Sequence, residues 1–381
     1  MNFLTVSNQT TGHGSFSRHQ RMSQALIHNG HRVFWIAPPG YDYDGVDVLP
    51  LSMSWLPNMA FLGLYIKILF TVIKNYSLLK NVDRIFVLRE YDAVCFILLP
   101  FFRKIPKIFL SRGDSISIYK VNKPDNKGLI EHAKTFFILT VFPLIQKIAL
   151  QFSDFVVVQA VFLEKLLRER HHNQEFPCFV LKNDCPVYDF NCLKRDHFSS
   201  NDEVKPINLA FISPFFWECK GLGVIVETIF ELEKRNIHYM FHMIGDGPHY
   251  NRFSESIANI SNSNTKIIWH GWLKDFYPVI NDLDLIVVPS LYDSNPNLVL
   301  EMISLQKPIL ASDIACHREM LVNQNLLFPN KNTKELCNKI QTFQKDGHFR
   351  SIISNAILER KNKLTFDWDA ELVKILEFRQ Q

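Results

Sequence analysis

The feature that most constrains this chain is a double series of short apolar runs, each followed by helical periodicity, broken once by a polar segment over 184–206. The first series has runs at 3–6, 33–37, 84–88, 107–110 and 155–158. The second starts at 207–212 and continues at 239–244, 266–269, 285–288 and 309–312. Apolar runs separated by helices predict parallel strands buried on both faces. At 381 residues the chain also exceeds the length at which a single core stops growing. The expectation is therefore an α/β chain with two sheets, whose strand ends face a shared interdomain cleft where a ligand binds. The predicted domains are 1–190 and 191–360, with a last segment, 361–381, whose helix over 368–378 is a candidate to pack back on the first domain.

Hydrophobic residues make up 47% and charged residues 21%, enough for compact cores. The formal charge of +4 hides an asymmetry: residues 1–150 hold 17 Lys and Arg against 9 Asp and Glu, and the remainder 25 against 29. Apolar stretches at 55–76 and 136–150 accompany the basic half. Lys67 and Lys74 interrupt the first and the second is short, so both read as buried helices rather than membrane spans; the alternative is a basic, apolar surface resting on an anionic membrane. No secretory signal is expected at the start. Seven scattered cysteines without a C-x-x-C pair point to a reducing, cytoplasmic setting. Cys178, Cys185 and Cys192 are evenly spaced but lack histidines in ligand geometry, so no metal is expected. Nucleic acid is not expected as a partner, because no recognition module accompanies the charge.

Asp293-Ser294-Asn295-Pro296-Asn297-Leu298-Val299-Leu300-Glu301 sets two carboxylates eight positions apart across a predicted helix start. Ser294 or Asn295 is expected to cap the helix, with Pro296 in its first turn. Acceptor oxygens beside a positive helix end suit a sugar joined to phosphate. The bland alternative is one loop acid and one helix acid. Gly12-His13-Gly14 follows the first strand and either brings backbone close to a ligand or makes a turn. Lys220-Gly221 follows a strand of the second series, where a lysine can neutralise diphosphate or simply be solvated. Gly245-Asp246-Gly247-Pro248 is a turn that either shapes a pocket or only connects. His270-Gly271-Trp272 either floors a nucleotide base or, at Trp272, joins the core. Arg89, Arg112 and Asp114 follow strands of the first series, as acceptor contacts or as ordinary loop charges.

Taken in order, these segments resemble the retaining nucleotide-sugar glycosyltransferases of family 4, which have the GT-B fold of two Rossmann-like domains. The resemblance rests on Thr11-Gly12-His13-Gly14, Gly30-His31-Arg32-Val33, Lys220-Gly221, Ile244 to Pro248, His270-Gly271, Val288-Pro289-Ser290, Asp293 to Glu301 and Lys307 to Ser312. It implies an acceptor-binding first domain and a nucleotide-sugar-binding second domain. Glu301 then corresponds to the acid on the donor ribose and Asp293 to the first acid of the Glu-x7-Glu motif, shortened to aspartate. Lys220 corresponds to the diphosphate lysine, and backbone at Asn295, Pro296 and Asn297 approaches the donor. Two departures stand out. The family's arginine companion of the lysine is replaced by Pro214 or Phe215, and Ser111-Arg112-Gly113-Asp114 stands near the place of a first-domain catalytic-region histidine, which makes Arg112 and Asp114 the candidates for a substituted catalytic role.

The implied reaction transfers a hexose from a UDP or GDP sugar to an acceptor hydroxyl with retention, the departing diphosphate helping to activate the acceptor. No metal or other cofactor is implied. A glycan or lipid-linked acceptor, in glycan or glycolipid biosynthesis at the cytoplasmic face of a membrane, fits the basic first half. Two alternatives remain from the residues alone: a nucleotide-sugar epimerase, and a noncatalytic glycan-binding scaffold.

Overall fold

The computed structural model describes residues 1–6, 14–40, 44–52, 60–122, 128–172, 174–188, 206–258, 260 and 265–378. The chain divides into two compact units. The first comprises Met1–Ile116, Asn126–Lys182 and Asp367–Gln381; the second comprises Ser117–Asp125 and Asn183–Phe366.

The first unit is built on a parallel sheet of β1 (Asn2–Val6), β2 (Arg32–Ala37), β3 (Val46–Pro50), β4 (Arg84–Val87), β5 (Lys107–Ser111), β6 (Phe155–Val158) and β7 (Cys178–Val180), in the order β3-β2-β1-β4-β5-β6-β7. β4, β5 and β6 are buried at every position, because helices on both faces leave no side of the sheet for water. Strand order reverses between β1 and β4, the kind of switch point at which open α/β sheets take ligands. Helix Ala60–Lys74 buries Leu64, Ile68 and Val72, four residues apart, against this core.

The terminal helix Trp368–Glu377 also belongs to the first unit. Arg84 fixes its end: Nη1 donates to the carbonyls of Leu376 (2.8 Å) and Phe378 (2.6 Å), and Nη2 to that of Glu377. A guanidinium thus satisfies carbonyls that the last turn leaves without amide partners. Trp368 is buried, with the guanidinium of Arg21 over its ring at 4.6 Å.

The second unit repeats the plan with β8 (Ile207–Ile212), β9 (Tyr239–Ile244), β10 (Thr265–Gly271), β11 (Leu285–Val288), β12 (Ile309–Ser312) and β13 (Leu327–Phe328), in the order β10-β9-β8-β11-β12-β13. Its switch point lies between β8 and β11. Two parallel α/β sheets of Rossmann type are what the alternation predicts. β3, β7 and β13 carry no comparable signal: each is a sheet edge with one strand partner, so a short or mixed sequence suffices.

One expectation needs correction. The 136–150 stretch is not an ordinary buried helix but part of the 22-residue Glu131–Phe152, whose most apolar 18-residue window has mean hydropathy 1.6 and is 22% buried. Among the described residues it is the one helix long and apolar enough to cross a membrane. Phe136, Leu144, Ile148 and Phe152 are exposed along it at multiples of four, while Phe142, Gln146 and Leu150 are buried. The apolar run therefore carries more hydrophobic residues than its buried face can use.

Candidate active site

At the switch point of the second unit, three loops after β8, β9 and β11 lock together through backbone. Phe215 N donates to Asp246 O at 2.9 Å, Ser213 N to Ile244 O at 3.0 Å, and Leu291 N to Cys219 O at 2.9 Å. Asn122, which belongs to this unit, accepts from Cys219 N through its side-chain oxygen. Such approach excludes side chains at two glycines. A Cβ on Gly221 would stand 2.1 Å from Pro289 O, and one on Gly245 2.0 Å from Ser213 O. Both also have positive φ, +68° and +140°, which L side chains rarely adopt. Gly247 is similarly tight, its Cβ position 2.8 Å from Phe215 N.

Gly221 precedes helix Leu222–Lys234 and aims the preceding Lys220 at the loop after β11. There the Lys220 ammonium meets Asp293 Oδ2 at 2.6 Å, across 73 residues of sequence. Burial works against the lysine charge, but the Asp293 carboxylate outweighs it and the Lys220 pKa lies above its ordinary value. Asp293 Oδ1 accepts from Ser294 N at 2.8 Å. The acid and base expected on one ligand are thus paired with each other here.

Helix Asn297–Ser304 follows. Its N-cap is Pro296, with extended backbone and no side-chain cap. The expected capping by Ser294 or Asn295 does not occur: Ser294 Oγ lies 3.4 Å from Tyr292 OH, and proline displaces the cap position beyond both residues. A first turn without a side-chain acceptor keeps its N–H groups for an anion. Glu301 lies four residues after Asn297, half-buried, and burial raises its pKa.

Phe215, at the place of the missing arginine, is fully buried and packs against Phe211, Phe253, Tyr250 and Trp269. Phe215 is therefore part of the core of the unit. His270 sits at the end of β10, but its Nε2 is 3.0 Å from His242 Nδ1 and the rings stack. Burial lowers both pKa values, so the pair is neutral near pH 7. Gly271 carries a register shift between β10 and β9. Trp272 is 68% exposed, which rules out the core alternative for it.

Sequence reasoning missed His317 and Cys316, at the start of helix Ala315–Leu321. His317 is fully buried; its Nδ1 lies 2.8 Å from Ser312 O, and its Nε2 has no partner among the described residues. Burial lowers its pKa to about 4, and the charges of Asp293 and Lys220 both act on it. Neither residue stands in a spacing that would have flagged it.

In the first unit, Gly12 and His13 lie outside the described residues, and Gly14 begins helix Gly14–His28. Arg89 forms two 2.8 Å bonds to the buried Asp92. Arg112 is half-buried, its carbonyl accepting from Gln159 Nε2, and burial followed by the charge of Arg18 lowers its pKa to about 10. Asp114 does not stand open to a substrate. It is fully buried, both oxygens bound by Arg170, whose Nη1 also donates to Gln146 Oε1. A carboxylate so enclosed orders the core of the unit rather than reaching a ligand.

Two Rossmann-like α/β units, one with a paired cation and anion beside an uncapped helix start, define a protein of the GT-B fold class. Residues 206–346, within the second unit, match the family model described as Glycosyl transferases group 1. Among curated proteins the chain is 26% identical over 176 residues to Protein CapJ of Staphylococcus aureus; the match spans 45% of this chain and 44% of that protein. Among solved structures it resembles sucrose-phosphate synthase from Thermosynechococcus elongatus (TM-score 0.73, 15% identity, 98% of this chain and 97% of that one). It also resembles HepE of Anabaena, solved with UDP and glucose (TM-score 0.67, 14% identity, 98% of both chains). The solved structures share the fold of the whole chain, and the family match relates residues 206–346 to the group 1 glycosyl transferases.

Proposed function

We propose that the protein is a retaining glycosyltransferase that moves a hexose from a nucleoside diphosphate sugar to a hydroxyl of a glycan or lipid-linked acceptor. The observation that carries this reading is the Lys220–Asp293 pair, assembled at the switch point of a unit matching the group 1 glycosyltransferases. The second unit takes the donor, and the first takes the acceptor. Lys220 and the first-turn N–H groups of helix Asn297–Ser304 stabilise charge growing on the departing diphosphate. Glu301 accepts from ribose hydroxyls, and Asp293 orients the sugar. The uridine base is the first choice because the HepE structure holds UDP.

The transferred sugar leaves the anomeric carbon–oxygen bond to the diphosphate and bonds to the acceptor oxygen on the same face. The acceptor proton passes to the departing diphosphate. The Lys220→Ala protein is expected to keep its fold and to lose turnover on the order of 100-fold, read as nucleoside diphosphate release with a donor panel and acceptor extracts. Unchanged release ends the assignment. Anomeric NMR of the product separates retention from inversion, and an epimerised free nucleotide sugar would favour the epimerase alternative. Donor and acceptor binding without turnover would favour the noncatalytic scaffold.

The acceptor on this reading is membrane-proximal, at the cytoplasmic face. What supports it is the exposed apolar side of Glu131–Phe152 in a unit with a basic sequence. Flotation with phosphatidylglycerol vesicles should show salt-sensitive association that Leu144→Glu with Phe152→Glu abolishes. Absence of association at low salt removes the membrane from the reading and leaves the transferase.

A further inference from the structure

Residues 117–125 stand apart in the division of the chain. They lie between two stretches of the first unit, Met1–Ile116 and Asn126–Lys182, yet belong to the second. Helix Ser115–Val121 carries the chain into this segment, and Asn122 follows its last turn, its backbone N donating to Ile118 O at 3.0 Å. With its backbone so held, Asn122 keeps its side chain for another partner: Oδ1 accepts from Cys219 N at 3.0 Å, across 97 residues of sequence.

Cys219 immediately precedes Lys220, and all its polar groups are used. Beside the amide held by Asn122, its carbonyl accepts from Leu291 N at 2.9 Å and its thiol donates to Tyr292 O at 3.2 Å. Burial raises the thiol pKa, so the proton for that bond stays in place. Leu291 and Tyr292 in turn immediately precede Asp293. One residue thus joins the backbone that carries the Lys220 ammonium to the backbone that carries the Asp293 carboxylate, and those two groups meet at 2.6 Å. The turn's own bonds, Lys220 N to Phe216 O and Gly221 N to Glu218 O, use other amides. A half-buried N–H that loses its acceptor costs free energy, and an ammonium on a flexible four-carbon stem is placed only as well as the backbone beneath it.

We infer that Asn122 is a positioning residue for donor binding: through the Cys219 amide it fixes where the Lys220 ammonium stands against Asp293. The inference rests on the reading that Lys220 holds the departing diphosphate, and it adds to the donor site a residue outside 206–346, the stretch that matches the glycosyltransferase model. Because residues 117–125 interrupt the first unit in sequence, the chain of the unit assigned to the acceptor supplies a part of the donor site.

Two measurements on the full chain test it. In the first, without ligand, lysines are acetylated by limiting acetic anhydride and followed by mass spectrometry. Asn122→Ala should raise the labelling rate of Lys220 about threefold or more and leave that of Lys307, whose Nζ donates to Asn281 O at 3.1 Å, unchanged. Asn122→Asp, which keeps an acceptor for the Cys219 amide, should bring Lys220 back toward the wild-type rate; Asn122→Ser, with a shorter side chain, replaces the alanine variant if that protein does not fold. Equal labelling of Lys220 in wild type and variant, or a rise shared by Lys307, overturns the role. The second measurement is calorimetry with UDP. Asn122→Ala should weaken binding about tenfold, but less than about twofold when Lys220→Ala is already present, because the two residues act in series. A loss of the same size in both backgrounds overturns the inference, since Asn122 would then act independently of Lys220. Absence of UDP binding by the wild-type chain removes the donor reading, and the labelling comparison then decides on its own whether Asn122 positions Lys220.

Discussion

The Lys220 ammonium and the Asp293 carboxylate lie 2.6 Å apart, each less than a quarter exposed. The acid occupies the cation that, on the proposed reading, a diphosphate needs. On that reading, donor binding exchanges one anion for another at Lys220 and releases Asp293 toward the sugar.

That exchange predicts opposite effects of Asp293→Asn on binding and transfer. Without its carboxylate partner the ammonium is available, and UDP affinity should rise by about tenfold, the scale of one charge-assisted contact. Transfer should fall because the sugar loses its acceptor. Calorimetry with UDP alone and a coupled release assay measure the two; weaker UDP binding in the variant would show that Asp293 does not compete.

The loop geometry predicts that Gly221→Ala is severely destabilising. Its new Cβ would lie 2.1 Å from the Pro289 carbonyl oxygen at a φ of +68°, so both steric overlap and backbone strain apply. A loss of roughly 3 kcal/mol or more is expected, measured by urea denaturation; Gly271→Ala, with positive φ but no atom within 4 Å of its Cβ position, should cost less.

Donor binding should follow a bell-shaped pH profile. Glu301 is raised by burial, so its proton acceptor for the ribose is lost as pH falls through a value above the usual glutamate range. Lys220 is raised, so its charge persists as pH climbs and is lost only above the usual lysine value of 10.5 in the ligand-free protein. Glu301→Gln should flatten the acid limb of a UDP-binding titration and leave the alkaline limb.

Acid should loosen the first unit through His19. Its pKa is lowered from 6.5 to about 3, so the unfolded chain takes up a proton that the folded one refuses. The stability it contributes is fully present above pH 6.5 and drains away as pH falls toward 3. His19→Gln should reduce the slope of stability against pH between 6.5 and 4, read from melting curves of the full chain.

The sequence by itself determined the class of architecture and the order of the site segments. Continuous apolar runs such as 285–288 and 309–312, spaced by helical stretches, read as strands covered on both faces and are such strands, and the glycines at 221 and 245 read as turns. Such local signals are written within a few residues and survive reading in one dimension.

What only the tertiary structure decided were the partners. Asp114 looked like an accessible loop acid until Arg170, 56 residues on, enclosed it. Phe215 looked like a lost arginine until four aromatic neighbours made it core. Likewise His317 had no motif, yet it is buried within the field of Lys220 and Asp293. Burial and charge pairing depend on residues far away in sequence, and the free energy of an ionisable side chain is set by those neighbours rather than by its own spacing.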